Sequence, residues 1–203
     1  MPRGSTATQV AEQRRFHGQH PSSRAGGSAA EPRGTKIGPV IVALAVGSAV
    51  SVGLGVYGQL HTPTGYAVDI AGFSNGPAAK AFLATIVIAL AIVQTVTALG
   101  LYGRIPLRGA WVGVVHRWSG RLAVLISVPV AVHCLYALGF QAYDGRVLAH
   151  SIFGCFLYGA FVFKMLILTR DDSPGWALPL AGGMVLSGLT ALWMTAVLYF
   201  FFV

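Results

Sequence analysis

The sequence is poor in charged residues: Asp, Glu, Lys and Arg make up 10% of its 203 residues, against about a quarter in an ordinary soluble domain. Only six residues are acidic, and none of them lies in a long apolar segment. This argues against paired carboxylates as catalytic groups and against a carboxylate-lined path for protons or cations. The two cysteines, Cys134 and Cys155, lie in apolar segments, where a thiol acts mainly as a small apolar side chain. A structural disulfide is therefore not expected.

Motifs of several other function classes are also missing. No cluster of Cys and His has the spacing of a zinc site, and no flavin-binding or nicotinamide-binding motif occurs. The net charge is +8, but no basic face with interleaved aromatic residues accompanies it, as nucleic-acid binding would require. Most of this positive charge flanks apolar segments, so we expect membrane lipid rather than nucleic acid as the surrounding partner.

Long apolar segments dominate the chain after residue 36. Five of them reach the roughly 20 apolar residues that a transmembrane helix needs, and helices satisfy the backbone polar groups of such segments within lipid. The sequence therefore predicts an all-α fold, a polytopic membrane helix bundle with about five transmembrane helices. The predicted spans are 37–60, 78–102, 111–140, 147–169 and 176–203. Because the later connections are short, consecutive helices are expected to be antiparallel neighbours.

Residues 1–36 differ from the rest of the chain, because they are rich in Gly, Ser, Pro, Arg and Gln and almost lack large apolar side chains. This composition is typical of disorder, so we expect a disordered cytoplasmic tail over 1–36 and a membrane domain over 37–203. In that orientation twelve Lys and Arg residues fall inside and two, Lys80 and Arg146, fall outside. The positive-inside rule thus predicts a multi-pass protein of the cell membrane with its N-terminus cytoplasmic and its C-terminus outside.

Histidine is the ionisable residue that the apolar segments retain. His116, His133 and His150 lie within them, and His61 lies at the outer end of the first. Ionisable residues in a membrane are costly and are candidates for function. His133 and His150 lie about 10 Å and about 5 Å from the outer ends of two antiparallel helices, whereas His116 lies near the inner side, roughly 25 Å from His133 along the helix. The outer set is thus His61, His133 and His150.

Two neutral imidazoles at one depth, without a nearby carboxylate, suit the iron of a haem. His133 and His150 are the predicted metal ligands, and Gly154, four residues after His150, would let a flat macrocycle approach the helix backbone. Packed helices lie about 8–10 Å apart, which is close for two helices that sandwich a haem. His61 is therefore an alternative partner, and the ligand pair stays open at this point.

His116 has a glycine, Gly120, at the same spacing of four residues, and both are candidate cofactor-binding residues. The inner side offers no second intramembrane histidine, so the sequence provides ligands for one bis-histidine haem. Binding a quinol, pairing with lipid headgroups and contacting haem propionates are the other roles open to His116.

Three stretches carry a family resemblance: His116-Arg-Trp-Ser-Gly-Arg-Leu-Ala, His133-Cys and His150-Ser-Ile-Phe-Gly154. Over about residues 111–170 they resemble the haem-bearing core of bacterial membrane cytochromes b, as in the cytochrome b561 and ferric-reductase-like groups, and a group of bacterial five-helix membrane proteins. The resemblance implies haem b on His133 and His150 and electron transport with a redox partner protein or quinone. Two-haem members carry two histidines on each of two helices, and the fourth segment here has one.

The hypothesis from the sequence is an integral membrane b-type cytochrome-like protein that carries electrons through a histidine-ligated haem near the outer face. It would be an electron-transfer component, with oxidoreductase activity only alongside partners, because no flavin-binding or nicotinamide-binding motif is present. The alternative is a non-catalytic accessory or scaffold subunit without cofactor, whose histidines bond neighbouring helices. An oligomer or a larger complex is compatible with either. A transporter is less favoured, because the spans lack acids and clear repeat symmetry.

Overall fold

A computed structural model describes residues 37–65 and 76–202. Five helices in these ranges are long and apolar enough to cross a membrane, and no strand occurs among the described residues. The predicted all-α bundle of about five membrane-spanning helices is therefore confirmed. We number the helices α1 (Gly38–Leu60), α2 (Gly76–Leu101), α3 (Ala110–Leu138), α4 (Gly145–Leu168) and α5 (Ala177–Phe202). Residues 1–36 lie outside the described ranges, and the tail, the domain division and the orientation stay predictions.

The bundle has two ends of different chemistry. The end where α1, α3 and α5 begin is called the basic end and carries Arg104, Arg108, Arg117, Arg121, Lys164 and Arg170. The end where α2 and α4 begin is called the histidine end and carries His61, Lys80, His133, Arg146 and His150. The two sets occupy opposite ends because the chain reverses direction at each loop. The predicted metal ligands His133 and His150 lie at the histidine end, and the candidate His116 lies at the basic end.

Helices α3 and α5 both change from α-helix to π-helix at the histidine end, over His133–Leu138 and Met194–Leu198. Pro129 lies inside α3 just before the change and has no N–H to donate. The backbone N–H of His133 is shared between the carbonyls of Pro129 and Val130. Single-turn π segments are rare and are frequent at functional sites, and here one of them begins at a candidate haem ligand.

Three pairs of helices pack closely, α1 with α4, α2 with α3 and α4 with α5, and α2 makes a lighter contact with α5. Helices α3 and α4 have almost no close backbone approach, although both are described over their full length. Side chains bridge them instead: Leu157 of α4 packs in a cluster with Ala123 and Ile126 of α3, and the Tyr158 hydroxyl donates to the Ser127 carbonyl at 3.2 Å.

Helix α1 packs along α4 and not along its sequence neighbour α2. The expectation that each helix lies beside the next is thus wrong for α1–α2 and right for α2–α3 and α4–α5. Between α3 and α4 it holds through side-chain contacts only. Near the middle of α1 the backbones of α1 and α4 meet where Gly47 faces Gly159. Nearer the basic end, Val40 and Ala43 of α1 join a buried cluster with residues of α4 and α5, namely Phe163, Ile167, Ala177 and Ala181.

Candidate functional site

His150 of α4 is held by a threonine of α5. The Thr195 hydroxyl donates to the Ala191 carbonyl at 2.8 Å, as a threonine within a helix commonly does. Its single proton is thereby used, so the 3.1 Å contact between His150 Nδ1 and Thr195 Oγ1 is a bond that the imidazole donates. Nε2 is then the unprotonated nitrogen, and the Leu192 backbone of α5 is a second hydrogen-bond partner of the imidazole. Helix α5 therefore fixes the ring of His150.

Arg146, one turn before His150, ties α4 to the π segment of α5 a second time. Its Nη1 donates to the Thr195 carbonyl at 2.8 Å, and its guanidinium lies 3.9 Å from the centroid of the Tyr199 ring. Asp144 caps α4 through the Val147 N–H at 2.8 Å, and its other carboxylate oxygen is 3.9 Å from Arg146. These contacts fix the start of α4, and with it the position of His150.

His133 of α3 is 6% exposed, which makes it the most buried of the described histidines. Together with Pro129 it lines a cavity of about 10 Å³ against the start of α2, where Lys80 and Leu83 complete the wall. Such a volume holds about one water molecule. Lys80 and His133 therefore line the same cavity, and His150 lies at the same end of the bundle without lining it.

His61 lies at the same end, but its ring is already engaged. It is stacked between the rings of Tyr57 and Tyr136, at centroid distances of 5.1 and 4.9 Å. Its Nε2 lies 3.2 Å from the Tyr136 carbonyl oxygen. Because a carbonyl oxygen can only accept a hydrogen bond, this nitrogen carries the proton. The Gly65 N–H bonds the next carbonyl, that of Ala137, at 3.1 Å. His61 thus helps to satisfy the terminal carbonyls of α3, and this geometry favours capping over metal ligation.

His116 lies at the basic end, apart from the other three histidines, and repeats the arrangement of His150. The Thr97 hydroxyl of α2 donates to the Val93 carbonyl at 2.7 Å, so it accepts the Nδ1 proton of His116 at 2.8 Å. Gln94, one turn earlier on α2, donates to the His116 carbonyl and to the Ser119 hydroxyl. These bonds join α2 to α3 inside the apolar bundle.

The two candidate glycines have different surroundings. A Cβ on Gly120 would lie 3.1–3.3 Å from the side-chain amide of Gln94, so Gly120 makes room for the bonds that join α2 to α3. A Cβ on Gly154 would meet only Leu192, at 3.9 Å. A methyl group at Gly154, one turn beyond His150, would therefore be in ordinary van der Waals contact with α5.

Replacing Gln94 by leucine should lower the free energy of unfolding by about 1–2 kcal/mol, because interhelical hydrogen bonds in membranes contribute about 0.6 kcal/mol each and up to about 1.7. Unfolding in mixed micelles with increasing denaturing detergent measures the change. Gln59→Leu is the matched control, because Gln59 is exposed on α1. Equal losses in the two variants would show that the bonds from Gln94 contribute nothing specific.

Sequence reasoning missed the polar residues that orient the histidines. Thr97 and Thr195 carry no recognisable motif, although each is one of the few polar residues in its span. Lys80 could have been recognised from the sequence, because it is a cation within an apolar segment. Over residues 37–65 and 76–202, no three His, Cys, Asp or Glu side chains come together as a metal site, so any metal here would rest on fewer protein ligands.

Comparison with known proteins yields one match. A family model described as a family of unknown function (DUF6529) matches residues 40–203, which is most of the chain and includes all four histidines discussed above. Neither the curated proteins nor the solved structures include a match.

Proposed function

The chain belongs to DUF6529, a family of unknown function, and from its histidine end we propose that it is a membrane b-type cytochrome-like protein. In this proposal haem b is held by His150 and His133, and electrons pass to or from a partner protein or a quinone. The protein lies in the cell membrane with its N-terminus in the cytoplasm, so the histidine end faces outward.

The observation that carries the proposal is the orientation of His150. Its Nδ1 proton is donated to Thr195 Oγ1, which leaves the lone pair on Nε2. Histidines that bind metals almost always donate their other ring proton to an oxygen in this way. That bond fixes both the tautomer and the ring plane before any metal arrives.

His133 and Lys80 would add a second nitrogen donor and a positive charge to the single imidazole of His150. His133 is a second, buried imidazole at the same end, and with His150 it would give a haem iron two nitrogen ligands. Lys80 lines the cavity at His133, and its positive charge suits the carboxylates of a haem. The donor chemistry of this end therefore fits the group.

The packing around the donors is closed, because the cavity at His133 has a volume of about 10 Å³ and a haem is far larger. Entry of a haem requires the side chains between α3 and α4 to move apart. The backbones of these two helices have almost no close approach, so the movement breaks side-chain contacts and leaves the α2–α3 and α4–α5 pairs intact. The bound haem would supply reversible one-electron chemistry, while the chain positions it and keeps water away.

The test is a reduced-minus-oxidised absorption spectrum of protein made with ample haem. The wild type is expected to show the Soret and α bands of a b-type haem, and His150→Ala and His133→Ala are each expected to abolish or strongly reduce them. His116→Ala is the matched control and should keep its bands, because His116 lies at the basic end and bonds Thr97. Wild-type protein that is folded and without bands would refute the proposal.

The second candidate function is a non-catalytic accessory or scaffold subunit. One observation favours it: His61, His116 and His150 each contact an oxygen of a neighbouring segment, so all three already have structural partners. In that case the protein would purify in a stable complex without haem, and alanine at these positions would lower thermal stability and leave the absorption spectrum unchanged.

A further inference from the structure

The connection between α2 and α3 at the basic end has a defined local structure. Gly103 adopts a left-handed conformation with a φ of 67°, and its N–H bonds the Gly100 carbonyl while the Arg104 N–H bonds the Leu99 carbonyl. This is the Schellman arrangement that ends many helices. Pro106 follows and prevents the helix from resuming. The chain therefore leaves α2 in a fixed direction, with Arg104 directly after the cap.

A pocket of about 390 Å³ lies in this connection. It is lined by Gly100, Leu101, Gly103, Arg104, Ile105, Pro106 and Arg108. Both arginines are exposed, and neither guanidinium group makes a hydrogen bond or an ion pair within the described residues. The pocket thus offers two guanidinium groups, whose planar forks of N–H donors match the oxygens of a phosphate.

The surroundings of the pocket favour a negative ligand. The described acids at the basic end, Asp171 and Asp172, follow α4 and do not line the pocket. Helix α3 begins next to Arg108, with no acid in its first turn and no side chain that caps it, so its first N–H groups add partial positive charge. Two of the carbonyls at the end of α2, those of Leu99 and Gly100, are engaged in the Schellman bonds.

The rim of the pocket is apolar and exposed. Leu101, Tyr102 and Trp111 are each more than half exposed, at 55%, 51% and 52%. Trp and Tyr prefer the level of the lipid headgroups, and the exposed apolar side chains of α2 continue from this rim toward the middle of the span. A ligand with a negatively charged headgroup and apolar chains matches both the two arginines of the pocket and its apolar rim.

We infer that the pocket formed by the α2–α3 connection binds the phosphate headgroup of an anionic phospholipid, with Arg104 and Arg108 as the charged contacts and the acyl chains along α2. Basic pockets at the ends of transmembrane helices bind such headgroups in other membrane proteins. This inference is independent of the haem proposal, because the pocket lies at the opposite end of the bundle from His133 and His150.

The test uses the full chain reconstituted in lipid discs that contain equal amounts of phosphatidylcholine and phosphatidylglycerol. After mild delipidation, the lipids that remain bound are identified by native mass spectrometry. We expect phosphatidylglycerol to be enriched on the wild type. In Arg104→Gln and in Arg108→Gln the enrichment should fall about fivefold each, because this is the usual attraction of one basic residue for an anionic surface.

Arg170→Gln is the matched control, because Arg170 is an exposed arginine at the same end that does not line the pocket. An equal fall in this variant, or no enrichment in the wild type, would overturn the inference. Displacement of the bound lipid by excess inorganic phosphate would reassign the pocket to free phosphate. The double variant Arg104→Lys with Arg108→Lys keeps the charge and should keep most of the enrichment, which separates binding from misfolding.

Discussion

Replacing Gly159 by valine is expected to detach α1 from α4 and to lower the free energy of unfolding by about 3 kcal/mol or more, at or beyond the upper end of the usual cost of overpacking. A Cβ at Gly159 would overlap the Ser51 hydroxyl and the Gly47 carbonyl. The overlap includes backbone atoms, so a change of side-chain rotamer cannot relieve it and the helices have to separate. Unfolding in mixed micelles measures the loss.

Gly182→Val is the control, because nothing lies within 4 Å of a Cβ at Gly182, while the change of side chain is the same. A second reporter follows the docking itself: in a Gly55→Cys background, the new Cβ would lie 3.8 Å from Cys155 Sγ, so oxidation should crosslink α1 to α4. We expect Gly159→Val to abolish this crosslink and Gly182→Val to retain it. Undiminished crosslinking in both variants would contradict the packing described here.

Replacing Thr195 by valine is expected to weaken haem binding by about 10-fold to 100-fold, the usual effect of removing the oxygen that orients a metal-binding histidine. Valine keeps the shape of the side chain but cannot accept the Nδ1 proton of His150. The ring would then lose its fixed tautomer and its fixed plane. Titration of haem into the apoprotein, followed by the Soret band, gives the dissociation constants of the variant and the wild type.

Thr97→Val is the matched control, because Thr97 bonds His116 in the same way at the basic end. It should cost comparable stability and leave haem affinity unchanged. Thr195→Ser keeps a hydroxyl and should restore most of the affinity. Equal weakening in Thr97→Val and Thr195→Val would show that the effect of Thr195 is general to the bundle and not a consequence of orienting His150.

The number and type of the helices were predictable, whereas their packing was not. Length and hydropathy are enough to identify a transmembrane helix, because lipid imposes the same requirement on every span. Which helices pack against each other depends on which small residues let two backbones approach closely. The chain has 26 glycines, so the sequence does not single out Gly47 and Gly159. Every face of these helices is apolar, so periodicity does not distinguish a buried face from one that faces lipid.

The candidate site could be predicted only in part, for a related reason. Helix direction and rise place His133 and His150 at one end, and the structure has them there. Which way an imidazole turns depends on groups from a helix far away in sequence, such as Thr195 beside His150. His61 shows the same limit: its place at the end of α1 is clear from the sequence, but its bond to the Tyr136 carbonyl depends on where α3 ends.

The docking of α1 on α4 has a consequence for how the chain is made. Gly159, which α1 needs as its partner, is translated about 110 residues after Gly47. At about 5–20 residues per second, α1 waits for several seconds after its own synthesis before α4 exists. During that interval the glycine face of α1 contacts lipid or the insertion machinery, while α2 and α3 can already pair with each other. Helix α1 thus joins the bundle only after α4, which is made later, has entered the membrane.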